Sequence, residues 1–217
     1  MFRRSFAPLA LALAASSAQA NPGPEIVLDV HKWRVIDRES GPVNYYKVVE
    51  APDGAYIHAA YSPPWDTTVL GYEVPDDALD HTHKLRWQWR AIALPHEGNE
   101  CLGGHGDSAA TVYVSWKRGL KWYVLKYVWS TVAPRGAICD RKRNAFVAQD
   151  TIVTETGGPV GVWKSEEIDL AAEFRKHFAD GDPDAKIPDF KGIGIMTDGD
   201  QTASASAADF AAFTLVP

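Results

Sequence analysis

Short segments in which apolar and polar residues alternate recur along the chain, each bounded by Gly, Pro, Asp or Asn. Turns every ten or so residues are typical of an antiparallel β-sandwich. The segments predicted as strands are 26–36, 45–50, 55–61, 67–73, 84–94, 109–116, 120–129, 145–154, 190–196 and 210–216. We therefore expect an all-β fold with two antiparallel layers, and a jelly roll suits a chain of this length.

One segment departs from this pattern. In "SEEIDLAAEFRKHFADGDPD", Leu170, Phe174 and Phe178 recur every four residues, with acidic residues early, basic residues late and Gly181 at the end. These features predict a single short helix near 169–179, packed on the edge or end of the sandwich.

The N-terminus has the features of a bacterial export signal. Arg3 and Arg4 precede a short apolar stretch, and Ala18-Gln19-Ala20 is the small-residue pattern that signal peptidase recognises. We expect residues 1–20 to be a signal peptide and 21–217 to be a single β-sandwich domain, periplasmic or secreted. No later segment is apolar and long enough to predict a membrane span.

The net charge bears on the possible partners, and the cysteine content bears on a disulfide. The formal net charge of −6 argues against nucleic acid as a partner. The two cysteines, Cys101 and Cys139, are an even number in a chain expected to be exported, which predicts a disulfide. The oligomeric state is left open.

The segment "KLRWQWRAIAL" predicts a strand with two different faces. Trp87 and Trp89 would point to one side, towards the core, while Arg86, Gln88 and Arg90 would point to the other. The second face is either a binding surface or a solvated surface on which arginine stems cover aromatic rings.

The next two predicted strands carry residues that would extend this polar face if the strands are neighbours. Tyr and Trp rings stack on sugars, while Arg, Gln and Lys bond hydroxyls or carboxylates, so a carbohydrate or similar polar ligand is the expected partner. The candidate ligand-binding residues are Arg86, Gln88, Arg90, Tyr113, Lys126 and Trp129.

An acidic loop follows the apolar run that ends at Met196. Asp198 and Asp200 lie two apart around a glycine, with the Thr202 hydroxyl beyond, and Asp107 is a candidate to complete a shell of oxygen ligands. Ca²⁺ takes six to eight such ligands, so a structural calcium ion is one interpretation. An Asp-Gly turn capped by side-chain hydrogen bonds is an equally good one.

Histidines and acids are frequent between His81 and Asp107. His83, His96 and His105 accompany them, and such residues serve as transition-metal ligands or in acid–base catalysis. Their spacing matches no metal motif, and ordinary polar loops carry histidine by chance. The chain has no GxSxG, SxxK or phosphate-binding glycine-rich motif, which argues against nucleophilic hydrolysis and nucleotide chemistry.

Five segments together resemble the bacterial domain-of-unknown-function family 3047 (DUF3047). They are "KLRWQWRA", "GDSAATVYVSW", "YVLKYVWS", "VWKSEEIDLAAEFRKHF" and "GIGIMTDGDQT", within about residues 85–213. The resemblance implies no activity, because the family is uncharacterised. Asp198, Asp200 and Thr202 match the family pattern, whereas Ser108 and Thr111 stand where the family usually has Asp and Arg.

Three functions remain open at this point, because sandwiches host many activities. The leading one is an exported protein that binds a carbohydrate or similar polar ligand, with calcium as a structural ion. The others are a polysaccharide lyase or hydrolase and a structural envelope protein. Arg86 or Arg90 beside Tyr113 and a loop histidine would favour chemistry, whereas an aromatic platform would favour binding.

Overall fold

A computed structural model describes residues 23–36, 43–79 and 82–217. The predicted signal peptide, residues 1–20, and His81 lie outside the described residues. Within them, no helix is long and apolar enough to cross a membrane.

Strands account for most of the regular structure, with a 3-10 turn at Val30–Lys32. In chain order the elements are β1 (Ile26–Val27), β2 (Arg34–Val35), β3 (Tyr46–Val49), β4 (Tyr56–Tyr61), β5 (Leu70–Glu73), α1 (Asp76–Leu79), β6 (Lys84–Ala93), β7 (Ala110–Arg118), β8 (Lys121–Ser130), β9 (Ile138–Arg143), β10 (Val147–Thr156), β11 (Lys164–Asp169), α2 (Leu170–Phe178), β12 (Asp189–Met196) and β13 (Ser206–Val216).

The strands form two sheets that pack face to face. The six-stranded sheet has the order β11-β6-β13-β4-β3, with β1 also paired to β13, and the seven-stranded sheet has the order β2-β5-β12-β7-β8-β10-β9. The predicted all-β, two-layer sandwich is therefore confirmed. One pair differs from the antiparallel expectation: β10 runs parallel to β8, because the chain doubles back through β9 before β10 is placed between them.

Two strands were missed and one predicted strand is divided. β9 and β11 end the two sheets, and their sequences are rich in charged residues because one side of each has no neighbouring strand. The predicted strand 26–36 is instead β1, the 3-10 turn and β2.

Aromatic side chains join the two sheets. Trp87 and Trp89 of β6 are fully buried and lie 5.5 Å from Tyr127 and 6.0 Å from Trp129 of β8, respectively, measured between ring centroids. Large aromatic rings bury more apolar surface than any other side chain, so these contacts stabilise the sandwich strongly. The predicted inward face of β6 is confirmed.

The predicted helix near 169–179 is also confirmed, as α2. Asp169 caps it by accepting a hydrogen bond of 2.7 Å from a backbone N–H of its first turn. On its apolar face, Phe174 lies 5.8 Å from Trp116 and 5.1 Å from Tyr123, between ring centroids. The helix therefore packs on the core through the inner side of the seven-stranded sheet.

Polar contacts fix α2 as well. The Tyr127 hydroxyl donates to Glu173 at 2.9 Å, and His177 Nδ1 lies 2.8 Å from the buried carboxylate of Asp150, which Arg143 also contacts at 2.8 Å. Burial acts to raise the pKa of Glu173, but the neighbouring His177 ring and the Tyr127 hydroxyl prevail and lower it to about 2.

We expect Glu173→Gln to destabilise the protein near neutral pH by about 2–3 kcal/mol. The pKa of Glu173 is lower in the folded state, so its contribution is present above pH 4.5 and is lost as the pH falls towards 2. Urea unfolding of the unaltered protein and of Glu173→Gln, measured between neutral pH and pH 2, should therefore give free energies of unfolding that become equal in acid. Glu73→Gln, at an exposed strand end, is the control and should leave stability unchanged. A constant difference at all pH values would contradict this account.

The predicted disulfide is present. Cys101 and Cys139 are bonded, with Cα atoms 4.9 Å apart, and they join the loop before β7 to the second residue of β9. Such a bond restricts the unfolded chain and so stabilises the native state.

Candidate functional site

The sheet order separates the predicted ligand-binding residues. Arg86, Gln88 and Arg90 lie on the outer face of the six-stranded sheet, whereas Tyr113 and Lys126 lie on the outer face of the seven-stranded sheet. The expected shared polar face was therefore wrong, because β6 pairs with β11 and β13 and not with β7. The two outer faces of a sandwich point in opposite directions.

Trp129 is not a surface residue either. Its side chain is 1% exposed in the core, and its indole N–H donates to the Gly157 carbonyl at 2.8 Å. It has no free ring face for a ligand, because the alternation of β8 directs it inwards together with Tyr127.

A groove with aromatic walls lies over the outer face of the six-stranded sheet. We call it the aromatic groove; Tyr56, Gln88, Arg90 and Trp163 line it, its volume is about 830 Å³, and it extends to Asp29. The Tyr56 and Trp163 rings stand nearly perpendicular, with centroids 5.8 Å apart. Two of the predicted ligand-binding residues, Gln88 and Arg90, thus meet two aromatic rings that come from other segments.

Arg90 is held rigidly in this groove. Its Nε donates to Asp209 at 2.7 Å, and the other oxygen of this buried carboxylate lies 2.6 Å from His58 Nδ1. The guanidinium also stacks over Trp163, 4.5 Å from the ring centroid. A buried ion pair and a cation–π contact therefore fix the side chain before any ligand arrives.

Arg86 has a different environment. It pairs with Glu167 at 3.0 Å and with Glu25 at 3.5 Å, and all three side chains are well exposed. Exposed pairs of this kind contribute little to stability. Arg86 does not line the aromatic groove, so it belongs to a solvated surface.

Sequence analysis missed Trp163 and Tyr56. Trp163 lies just before β11, in the segment that leads into α2, and Tyr56 begins β4. A tryptophan in a glycine-rich turn was the available signal, but its partner across the sheet could not be identified from local sequence.

Three aspartates meet at the ends of two neighbouring strands. Carboxylate oxygens of Asp107, Asp198 and Asp200 lie within 4.8 Å of one another. Asp107 precedes β7, the other two follow β12, and these strands are paired. This group, the aspartate cluster, can hold a metal ion, and its members are those that the sequence predicted.

Thr202 was expected as a metal ligand, but in the structure it is a hydrogen-bond donor to Asp107. Its backbone N–H and its hydroxyl each donate to Asp107 at 2.6 Å, and the hydroxyl also lies 2.8 Å from Ser204 Oγ. The Gln201 N–H donates to Asp107 as well, at 3.2 Å. Thr202 thus orients a carboxylate of the cluster, and the loop is a hydrogen-bonded turn at the same time.

The cluster brings three carboxyl groups together, of which Asp107 and Asp198 are buried and Asp200 is exposed. Burial raises the pKa of Asp198 to about 8, Asp107 and Asp200 add to this, and Lys126 and the Ser108 N–H act in the opposite direction. Burial and the neighbouring Asp107 likewise raise the pKa of Asp200. Chemically, such a group can take up either a proton or a cation, and each would relieve the repulsion.

The histidines expected to support a metal or acid–base site do not converge. Within the part of the chain that the structure describes, no group of three potential ligands includes His83, His96 or His105. Their carboxylate neighbour Asp107 belongs to the aspartate cluster instead.

We expect Thr202→Val to lower the free energy of unfolding by about 1–2 kcal/mol, because the valine cannot donate to the buried Asp107 carboxylate. Thr202→Ser keeps the hydroxyl and serves as the control. Chemical denaturation of both variants should show a loss only for valine. An equal loss in the serine variant would assign the effect to packing of the methyl group.

The comparison with protein families identifies the chain. The model of the family "Protein of unknown function (DUF3047)" matches residues 31–214, so the chain belongs to this family and the resemblance extends beyond the segments that first indicated it. No curated protein matches the sequence significantly.

Solved structures of similar shape are distant in sequence. A family 11 carbohydrate-binding module from Clostridium thermocellum, in complex with a β-1,3-1,4-mixed-linked tetrasaccharide, is 13% identical, with a TM-score of 0.45 over 88% of this chain and 95% of the module. The xyloglucanase domain of NopAA from Sinorhizobium fredii, in complex with cellobiose, is 8% identical, with a TM-score of 0.47 over 91% and 100% of the two chains. Likenesses this distant give no basis for assigning an activity to this chain.

Proposed function

We propose that this member of the DUF3047 family is an exported protein that binds a carbohydrate or similar polar ligand in the aromatic groove. The observation that carries the proposal is the meeting of Trp163 and Tyr56 with Gln88 and Arg90 around one cavity. The disulfide supports export, because such bonds persist in oxidising compartments.

The groove combines the two kinds of contact that sugars use. The apolar C–H face of a pyranose packs on Trp or Tyr rings, while its hydroxyls need fixed polar partners. Gln88 supplies an amide, and its Nε2 lies 3.2 Å from Ser165 Oγ. Arg90 supplies a guanidinium already immobilised by Asp209, so its ordering costs little when the ligand binds.

Binding is favoured over the lyase mechanism by the separation of the predicted chemical groups. In the lyase mechanism an arginine or a metal would neutralise a uronate carboxylate while Tyr113 or a histidine moved the proton. The arginine form is disfavoured, because Arg86 and Arg90 lie on the opposite outer face from Tyr113. The aromatic groove corresponds to the alternative expectation of an aromatic platform.

We expect Trp163→Ala to weaken glycan binding by about tenfold or more, because it removes the stacking surface. Titration calorimetry with glycans selected from an array, neutral and anionic, measures this. Trp122→Ala is the matched control, since Trp122 is 38% exposed on the other sheet, and it should leave affinity unchanged. Equal affinities of the Trp163 variant and the unaltered protein would refute the groove as the site.

We also propose that the aspartate cluster binds Ca²⁺ as a structural ion. Three carboxylates within 4.8 Å of one another support this, because a hard divalent cation takes several carboxylate oxygens at once. Asp107 and Asp198 come from loops at the ends of different strands, so the ion would fasten β7 to β12.

Calorimetric melting should show a midpoint several degrees higher in millimolar Ca²⁺ than in chelator, because the ion binds only the folded state. In Asp198→Asn this difference should disappear. Asp184→Asn, at an exposed position in the turn after α2, should retain it. The same midpoint with and without Ca²⁺ would leave Asp198 and Asp200 as turn residues.

A further inference from the structure

A second cavity lies on the opposite side of the molecule from the aromatic groove. It has a volume of about 370 Å³ over the outer face of the seven-stranded sheet, beside β8, β9 and β10. Its lining includes Glu100, Lys126, Asp140, Lys142 and Thr151. We call it the β8 cavity.

Two deeply buried polar groups in this cavity have no hydrogen-bond partner. Glu100 is 7% exposed and neither carboxylate oxygen is bonded, and the hydroxyl of Thr151, which is 1% exposed, is unbonded too. The Ser130 hydroxyl near Glu100 donates to the Gly98 carbonyl instead, at 3.1 Å. Native proteins pair nearly all such groups, and each unpaired one costs about 1–3 kcal/mol. These atoms therefore indicate a ligand.

Lys126 supplies the third group. None of the ion pairs formed within 4.0 Å by the described residues includes it. Its Nζ lies 5.6 Å from the centroid of the Tyr113 ring.

The remaining charged groups of the lining already have partners. Asp140 accepts from Gln149 at 2.9 Å and pairs with Lys142 at 3.5 Å. Glu100, Lys126 and Thr151 are therefore the groups that a ligand would engage.

The rim of the cavity is fixed in place. The loop that follows Glu100 is joined to β9 by the bond between Cys101 and Cys139. Further along the same loop, the Gly106 N–H donates to Gln201 at 3.0 Å. Little conformational entropy would be lost on binding, because both ends of the loop are held.

We propose that the β8 cavity is a second binding site, which takes a small neutral polyhydroxylated molecule such as a monosaccharide. A hydroxyl can donate to the Glu100 carboxylate and accept from the Lys126 ammonium, while Thr151 can do either. A carboxylate ligand would meet Glu100 and Asp140, and an amine would meet Lys126 and Lys142. The volume lies at the lower end of the range for ligand sites, which suits a single ring.

The proposal is tested by calorimetric titration of the full-length mature chain with neutral monosaccharides, and with uronic acids and amino sugars as charged comparators. We expect a neutral sugar to bind and Glu100→Gln to weaken it by about tenfold, with a smaller loss in Thr151→Val. Trp163→Ala should leave this affinity unchanged, which separates the β8 cavity from the aromatic groove.

Three outcomes would overturn the proposal. They are the absence of neutral-sugar binding, tighter binding of a charged comparator, and an affinity in both Glu100→Gln and Thr151→Val that equals that of the unaltered protein. Thr151→Val has nearly the shape of threonine, and circular dichroism melting verifies that each variant is folded. If Glu100→Gln and Thr151→Val both melt no lower and both bind with unchanged affinity, the cavity is only a packing defect.

Discussion

The contact of Trp87 and Trp89 with Tyr127 and Trp129 is the interaction on which the other features depend. It fixes the separation of the two sheets, and through the two-residue period of β6 it also decides which side chains face outwards. Burial of the tryptophans leaves Gln88 and Arg90 no other direction. The core and the aromatic groove are therefore two sides of one strand.

The two outer faces offer different chemistry for a physical reason. On the six-stranded sheet, Arg90 is neutralised within a row of paired side chains that includes Asp209, which leaves aromatic rings as the main surface of the proposed site. On the seven-stranded sheet, Glu100 and Lys126 line one cavity beside a disulfide-bonded loop, and the described residues form no ion pair with either. The proposed site on the first face is the larger of the two, at about 830 Å³ against about 370 Å³.

Local sequence was sufficient for features that depend on local geometry. Alternation identified the inner face of β6, and four-residue spacing with Gly181 at the end identified α2. Asp107 was joined to Asp198 for a chemical reason, because a hard cation needs further oxygen ligands. Sheet order is different, because any strand with a suitable apolar face can join either layer. That is why Tyr113 was assigned to the wrong face.

Burial along a single strand was also hard to judge from composition. Trp129 follows the inward alternation of β8, yet an aromatic ring near a strand end was interpreted as a contact for sugar. Trp163 shows the opposite error. It lines the aromatic groove but was not predicted as a contact, because it lies outside any alternating segment. A residue in a turn acquires its neighbours from the fold as a whole, so Tyr56 could not be foreseen as its partner.

The position of β13 has a consequence for how the molecule forms. This strand lies between β4 and β6, which precede it by more than half the chain, and it bonds to both. Pairings between such distant segments require a large loop to close first, and they are slow to form. Until β13 inserts, the edges of β4 and β6 that face it are unpaired. Asp209, which belongs to β13, does not yet contact Arg90. The walls of the aromatic groove therefore come together only when β13 is in place between β4 and β6.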